Sequence, residues 1–226
     1  ASARQKVAVQ PPQKLTFSPW CGGINERAFP SRSRIARSRF ECAGHVRAVL
    51  NALSRPGSIV AIPEVGVDGP GLVSNDILAI LLALCDQETT VWLDADLRHS
   101  DVARWLAFHA NCPIIDDPSK ASFGLLRGRS DDPALTDFAH GDSRYPDRST
   151  TLLVCADALS GGEKLILEGP GIETQVRIAP LGLSSSFVEA AQENHALYPL
   201  GLDFLLVAGH AMSGLPRTTR IMTETR

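Results

Sequence analysis

Val46-Arg47-Ala48-Val49-Leu50-Asn51-Ala52-Leu53-Ser54-Arg55-Pro56-Gly57-Ser58-Ile59-Val60-Ala61-Ile62 is the stretch that decides the fold class. Val46, Val49, Leu50 and Leu53 recur at helical spacing, so one face of the segment is apolar. Pro56-Gly57 stops that helix. The apolar run Ser58 to Ile62 behind it reads as a strand, and a helix leading into a sheet points to α/β architecture.

The same alternation continues downstream. Ser74 is placed to cap a second helix, Asn75 to Cys85, whose apolar positions nearly encircle it and so call for packing on both sides. Thr89 to Leu93 is the next strand. Ser100 caps a third helix carrying Val102, Trp105, Leu106 and His109 on one face, ended by Asn111 and Pro113. Ile114-Ile115 and Ala121 to Leu126 are short strands. Gly128 to Ser149 has no period apart from a turn of helix after Pro133, and is expected to be a mobile surface excursion. Thr151 to Ala156, Leu165 to Leu167 and Thr174 to Ile178 read as strands joined by Gly-Gly and Gly-Pro-Gly turns, which suggests antiparallel pairing. A fourth helix, Ser185 to Asn194, precedes the strand Leu202 to Ala208, and Gly214 turns the chain into a last segment, Arg217 to Met222. The expected fold is α/β with a mixed sheet flanked by helices.

Composition narrows the functional classes. The 226 residues are 44% hydrophobic and 21% charged, which suits a globular chain able to bury a core without staples. The longest apolar run, Ile77 to Cys85, is about half of the roughly 20 residues a membrane helix needs, so no membrane span is expected. No charged segment followed by an apolar one opens the chain. Five scattered cysteines without a C-x-x-C argue against a disulfide framework or a cysteine metal site, and a cytoplasmic protein is the default.

The net charge of -3 hides an asymmetry. Residues 1–40 hold eight Lys or Arg against Glu26 alone, and the rest of the chain holds 14 basic and 24 acidic side chains. We read residues 1–40 as a basic, extended arm and 41–226 as one α/β domain. The arm suits a partner subunit that Phe17, Trp20 and Phe29 would anchor, with a polyanion as the alternative; the acidic body is no surface for nucleic acid.

Familiar catalytic signatures are missing: no G-x-x-x-x-G-K-[ST], no G-x-G-x-x-G after a strand, no G-x-S-x-G and no H-E-x-x-H occurs. Ser160-Gly161-Gly162-Glu163-Lys164 is lysine-tipped and glycine-rich, yet no helix N-terminus follows it to complete a phosphate cradle. It reads as a hairpin turn.

Five segments combine turn geometry with a polar tip: Leu53-Ser54-Arg55-Pro56-Gly57, Phe108-His109-Ala110-Asn111-Cys112-Pro113, Leu167-Glu168-Gly169-Pro170-Gly171-Ile172, Tyr198-Pro199-Leu200-Gly201-Leu202-Asp203 and Leu215-Pro216-Arg217-Thr218-Thr219. In order and spacing, from Phe40 to the end, they resemble the PhnH family of the bacterial carbon-phosphorus lyase system. Val46 and Leu53 stand where that family usually has Phe and Met, and Tyr198 and Leu202 where it has Phe and Ile. These exchanges touch packing and leave the polar set in place.

The resemblance implies a homodimeric protein of organophosphonate catabolism that sits with subunits G, I and J in a core complex. That complex transfers a phosphonate to the ribose of ATP, giving a ribose 1-phosphonate 5-triphosphate. It also implies a fold similar to the pyridoxal-phosphate-dependent transferases, without the cofactor. The residues agree with the last point, since the body's lysines are Lys120 in a Pro-Ser turn and Lys164. ATP and phosphonate are substrates of the complex, and neither a metal nor pyridoxal phosphate is expected on this chain.

Within those segments, Arg47 and Arg217 are candidates for pairing with a phosphonate or triphosphate oxygen, with Thr218 and Thr219 adding hydroxyls. For Arg47 a surface salt bridge is the alternative, and for the threonines plain strand preference. Ser54, His109 and Asp203 would be the members of a hydrolytic set if the chain were a free-standing enzyme. Otherwise Ser54 is a helix cap, His109 a core histidine and Asp203 a turn carboxylate. Cys112, three residues after His109, reads either as half of a thiolate–imidazole pair or as a buried structural thiol. Pro56, Gly57, Gly171, Gly201 and Pro216 set backbone geometry.

Overall fold

The stretch from Val46 to Ile62 folds as its spacing demands. Helix α1 (Ala43–Ser54) buries Ala48, Val49 and Ala52, and the chain turns through Pro56-Gly57 into the short strand β1 (Val60–Ala61). The computed structural model describes residues 43–64, 66–129 and 132–224, so the basic arm of residues 1–40 lies outside the described residues.

Helix α2 (Asn75–Leu84) is capped by Ser74, whose hydroxyl accepts from Ile77 N. Six of its residues in a row, Ile77 to Leu82, are buried, because it is packed on more than one side. Strand β2 (Val91–Leu93) follows, then a single turn, α3 (Ala95–Arg98), and α4 (Asp101–His109), capped by Ser100 through Val102 N. Asn111 ends that region in a left-handed conformation, with φ at 58°. Beyond it come β3 (Ile114–Ile115), β4 (Phe123–Leu126), β5 (Thr151–Cys155), β6 (Leu165–Glu168), β7 (Val176–Ile178), helix α5 (Ser185–Asn194), β8 (Asp203–Ala208), β9 (Ala211–Leu215) and β10 (Arg220–Thr223).

Seven strands form one mixed sheet in the order β1-β9-β8-β5-β4-β2-β3. Neighbours from β3 to β8 pair parallel, and β9 alone runs against the rest, since it is antiparallel to both β8 and β1. The central strands are continuous apolar runs, as a sheet covered on both faces requires. One core, with α1, α2 and α4, covers one face; a second, with α5 and the small sheet β10-β6-β7, covers the other.

Four expectations need correction. Thr151–Cys155 does not pair with Leu165–Glu168: β5 sits inside the large sheet and β6 inside the small one, so Ser160-Gly161-Gly162 is a crossover between sheets and not a hairpin. Of these two glycine turns, the Gly-Pro-Gly one joins an antiparallel pair, β6 with β7. Gly214 does not turn the chain; it lies within β9, opposite Leu205. Its missing side chain makes room for α1, because a Cβ there would overlap the Ala52 carbonyl oxygen. The excursion from Gly128 to Ser149 is not all surface: Leu135, in a 3-10 turn close behind Pro133, and Phe138 are buried in the second core. Phe138 meets Trp92 edge to face, with ring centroids 5.3 Å apart.

Candidate functional site

Four of the five polar-tipped segments meet in one junction at the end of α1. Gly57 N donates to Gly214 O at 3.1 Å, fastening the helix end to β9. Gly171, at a φ of +85°, lies so close to the helix end that a Cβ would overlap the Ser54 carbonyl oxygen and sit 2.9 Å from Pro56 Cδ. A Cβ on Gly169 would come within 2.7 Å of Thr218 O, which brings the β9–β10 turn onto the β6–β7 turn. Pro216 O accepts from Thr219 N within that turn. Gly201 abuts Asn194, whose amide clamps the next residue: Leu202 N donates to Asn194 Oδ1 and Asn194 Nδ2 to Leu202 O.

Asp203 and Arg217 lock this junction. Arg217 Nη2 donates to Asp203 Oδ2 at 2.6 Å, and its Nε and backbone N both donate to Asp203 Oδ1. Nη1 donates to Pro146 O at 2.6 Å, and Nη2 also reaches the Ser149 hydroxyl. The arginine side chain is 13% exposed. Every nitrogen of its fork is bonded within the chain, so it staples the 146–149 loop to β8 and β9.

The remaining candidates are scattered. Ser54 donates its hydroxyl to Asn51 O at 3.1 Å, one turn back in its own helix. His109 is buried at the end of α4, its ring 4.5 Å from Trp105 and 4.8 Å from Phe108. That helix leads into β3, which is four strand spacings from the β8 of Asp203, about 19 Å in the sheet plane. No hydrogen bond or ion pair brings Ser54, His109 and Asp203 together among the described residues; Ser54 and Asp203 are engaged by other groups. Arg47 is exposed on α1 and has no ion pair among the described residues. Thr219 is buried, and its hydroxyl has no hydrogen-bond partner among the described residues, beside the half-buried Thr218.

Cys112 is a buried thiol whose Sγ donates weakly to Leu106 O. Burial pushes it up to about 11, and burial likewise pushes Cys155 up to about 11. Both are therefore neutral at pH 7, with no thiolate to pair with an imidazole. In the unfolded chain the same thiols ionise near 9.0, so the folded state holds more protons between those values. Stability is fully present below about pH 9 and falls as pH rises through about 11. Urea midpoints at pH 8 and pH 10.5 check this: the drop should shrink in a Cys112→Ala, Cys155→Ala variant.

Sheet topology marks a crevice that the sequence did not. From β2 the chain moves to β3 on one side and then returns to β4 on the other, which makes the carboxyl ends of β2 and β4 a switch point, where open α/β sheets bind ligands. Asp94 and Arg127 stand there, one residue beyond each strand, joined by an ion pair of 2.9 Å. Arg98, paired with Asp116, and Arg129 border the same cleft of about 360 Å³. Only topology reveals this pairing, since 32 positions separate Asp94 from Arg127 and no spacing rule connects them. A second groove, about 480 Å³, runs beneath α5 past Phe187, His140 and Leu197. A third, about 490 Å³, opens between the two sheets.

The family model for the bacterial phosphonate metabolism protein PhnH matches residues 36–222. The chain belongs to the PhnH family. Among its relatives, the alpha-D-ribose 1-methylphosphonate 5-triphosphate synthase subunit PhnH of Rhizobium meliloti (strain 1021) is 37% identical over 185 residues, covering 82% of this chain and 92% of that protein. The putative C-P lyase subunit protein HtxG of Stutzerimonas stutzeri is 29% identical over 175 residues, covering 77% and 83%. The PhnH match spans the whole junction described above, from α1 to β10.

Proposed function

We propose that this chain is the PhnH component of a multi-subunit synthase that places a phosphonate on the ribose of ATP, and that its own part is mainly assembly. The observation that carries the reading is the 37% identity to a named synthase subunit over nearly that subunit's full length. The junction agrees with it: the side chains of the shared segments bond one another and hold backbone in place, and Ser54 and Asp203, two thirds of the hydrolase alternative, have other partners.

The partners are a second copy of the chain and subunits G, I and J, in the cytoplasm. Leu50 on α1 is 62% exposed and suits a protein interface there. No helix among the described residues is long and apolar enough to cross a membrane. A sheet with one opposed strand next to its edge supports the likeness to the pyridoxal-phosphate-dependent transferase fold. Loss of that cofactor is supported by Lys120 and Lys164, both largely exposed and so lacking the desolvation that activates a Schiff-base lysine. Arg47 and the half-buried Thr218 remain the anion contacts this reading offers at an interface, since Thr219 is buried.

Co-expression with subunits G, I and J tests the assembly. An affinity tag on this chain should bring down all three in fixed proportion, and Leu50→Asp should reduce a chain-alone dimer to monomer. Purification of the tagged chain free of the three would sink the reading.

A further inference from the structure

The crossover Leu159 to Lys164 forms one wall of the cleft between the sheets. Gly162 N donates to Ala179 O and Leu181 N to Ala158 O, both at 2.8 Å, so the crossover is zipped along Ala179 to Leu181. Gly162 admits no side chain, because a Cβ would overlap the Pro180 carbonyl oxygen. Backbone bonds thus fix the walls around about 490 Å³, within the roughly 300–1,000 Å³ of small-molecule sites.

Leu206 and Ser213 line the same cleft. They are directly opposed on β8 and β9, so their side chains leave the sheet on the same face. Ser213 is 3% exposed and its hydroxyl has no hydrogen-bond partner among the described residues. Buried hydroxyls are almost always paired, and a bound acceptor would remove this exception.

The remaining charged lining carries a surplus of positive charge. Lys164 Nζ is 3.6 Å from Glu224 Oε2, and Arg177 Nε donates to Glu224 Oε1 at 3.2 Å. One carboxylate therefore serves two cations. The terminal nitrogens of Arg177 hold no other bond among the described residues, which leaves the fork edge that grips a tetrahedral oxyanion with two donors. Ile59, Leu159 and Ile178 make much of the rest of the lining apolar.

We propose that this cleft binds a small organic phosphate or phosphonate. Arg177 and Lys164 hold the oxyanion, the apolar walls enclose the organic body, and Ser213 donates its hydroxyl to an oxyanion oxygen. The free guanidinium edge and the Lys164 ammonium offer more donors than the two oxygens of a carboxylate need, and suit the three oxygens of a phosphonate. The site stands on this chain alone, so its failure is separate from any failure of assembly.

Calorimetric titration of the full chain at low salt, with phenylphosphonate, methylphosphonate and inorganic phosphate, tests it. Saturable binding to one site is expected, tightest for phenylphosphonate and weakest for inorganic phosphate. Arg177→Gln and Lys164→Gln should each weaken it tenfold or more without changing the melting temperature, since both side chains are exposed. Ser213→Ala should weaken binding several-fold while the melting temperature stays level or rises, because an unpaired buried hydroxyl is removed. No saturable binding by any of the three probes overturns the proposal, as does unchanged affinity in Arg177→Gln. Equal affinity for inorganic phosphate and phenylphosphonate removes the role assigned to the apolar walls.

Discussion

Alanine at Gly171 is expected to destabilise the fold by about 2–5 kcal/mol. A left-handed backbone costs an L-residue about 1–2 kcal/mol, and the φ of +85° cannot relax, because Ser54 and Pro56 stand against it. Forcing a methyl onto the backbone at the end of α1 adds about 1–3 kcal/mol of overpacking. Gly209→Ala is the control, since Gly209 has a φ of +54° with nothing within 4 Å of a built Cβ. It should lose only the conformational part, about 1 kcal/mol. Urea unfolding of both variants separates the two contributions; equal losses would mean that the packing of Gly171 against α1 is not what holds the junction.

Arg217→Ala is expected to cost about 2–4 kcal/mol. It leaves Asp203, in a mostly buried position, with the residue-217 backbone N–H but without its countercharge, and strips partners from Pro146 O and Ser149; breaking a buried pair by removing one member costs far more than an exposed pair is worth. Lysine cannot rescue it, since one ammonium cannot reach Asp203, Pro146 and Ser149 with the fixed fork geometry. The double variant Asp203→Ala, Arg217→Ala should lose clearly less than the sum of the single losses. A second readout follows from the staple: limited proteolysis should cut between 140 and 149 faster in Arg217→Ala. Full stability and unchanged proteolysis would remove Arg217 from the structural role and leave its fork to a ligand.

Local chemistry made the helices legible in the sequence. Ser74 and Ser100 are caps whose hydroxyls accept from backbone N–H groups, and α5 begins and ends at the residues its period marks. What was not legible depends on pairing across the chain. Gly214 looks like a turn residue because glycine usually is one, yet here its bare Cα admits the backbone of α1. Ser160-Gly161-Gly162 looks like a hairpin because the strands on either side are short and apolar, and nothing local says that they join different sheets. Leu135 and Phe138 lie in a stretch without a period, so the burial of Phe138 follows from Trp92 and not from spacing.

The site was legible in the same uneven way. The five segments are visible in order, but the reason four of them belong together is the close approach of Gly169, Gly171, Gly201 and Gly214 to neighbouring backbone and side chains, which sequence spacing does not encode. Arg217 reads as an anion contact and Asp203 as a hydrolytic or turn carboxylate, and nothing in their spacing shows that the two bond each other. The unpartnered Ser213 hydroxyl gives no sequence signal at all, because a serine in a strand is ordinary until its surroundings are known.

The most direct test of the proposed assembly role is reconstitution of the synthase from subunits G, I and J with and without this chain, assayed for consumption of ATP with methylphosphonate. A ribose 1-methylphosphonate 5-triphosphate product is expected when the chain is present, none when it is left out, and no turnover by the chain alone. Product formation at an undiminished rate without the chain, or turnover of a phosphoester by the chain alone, would contradict that role.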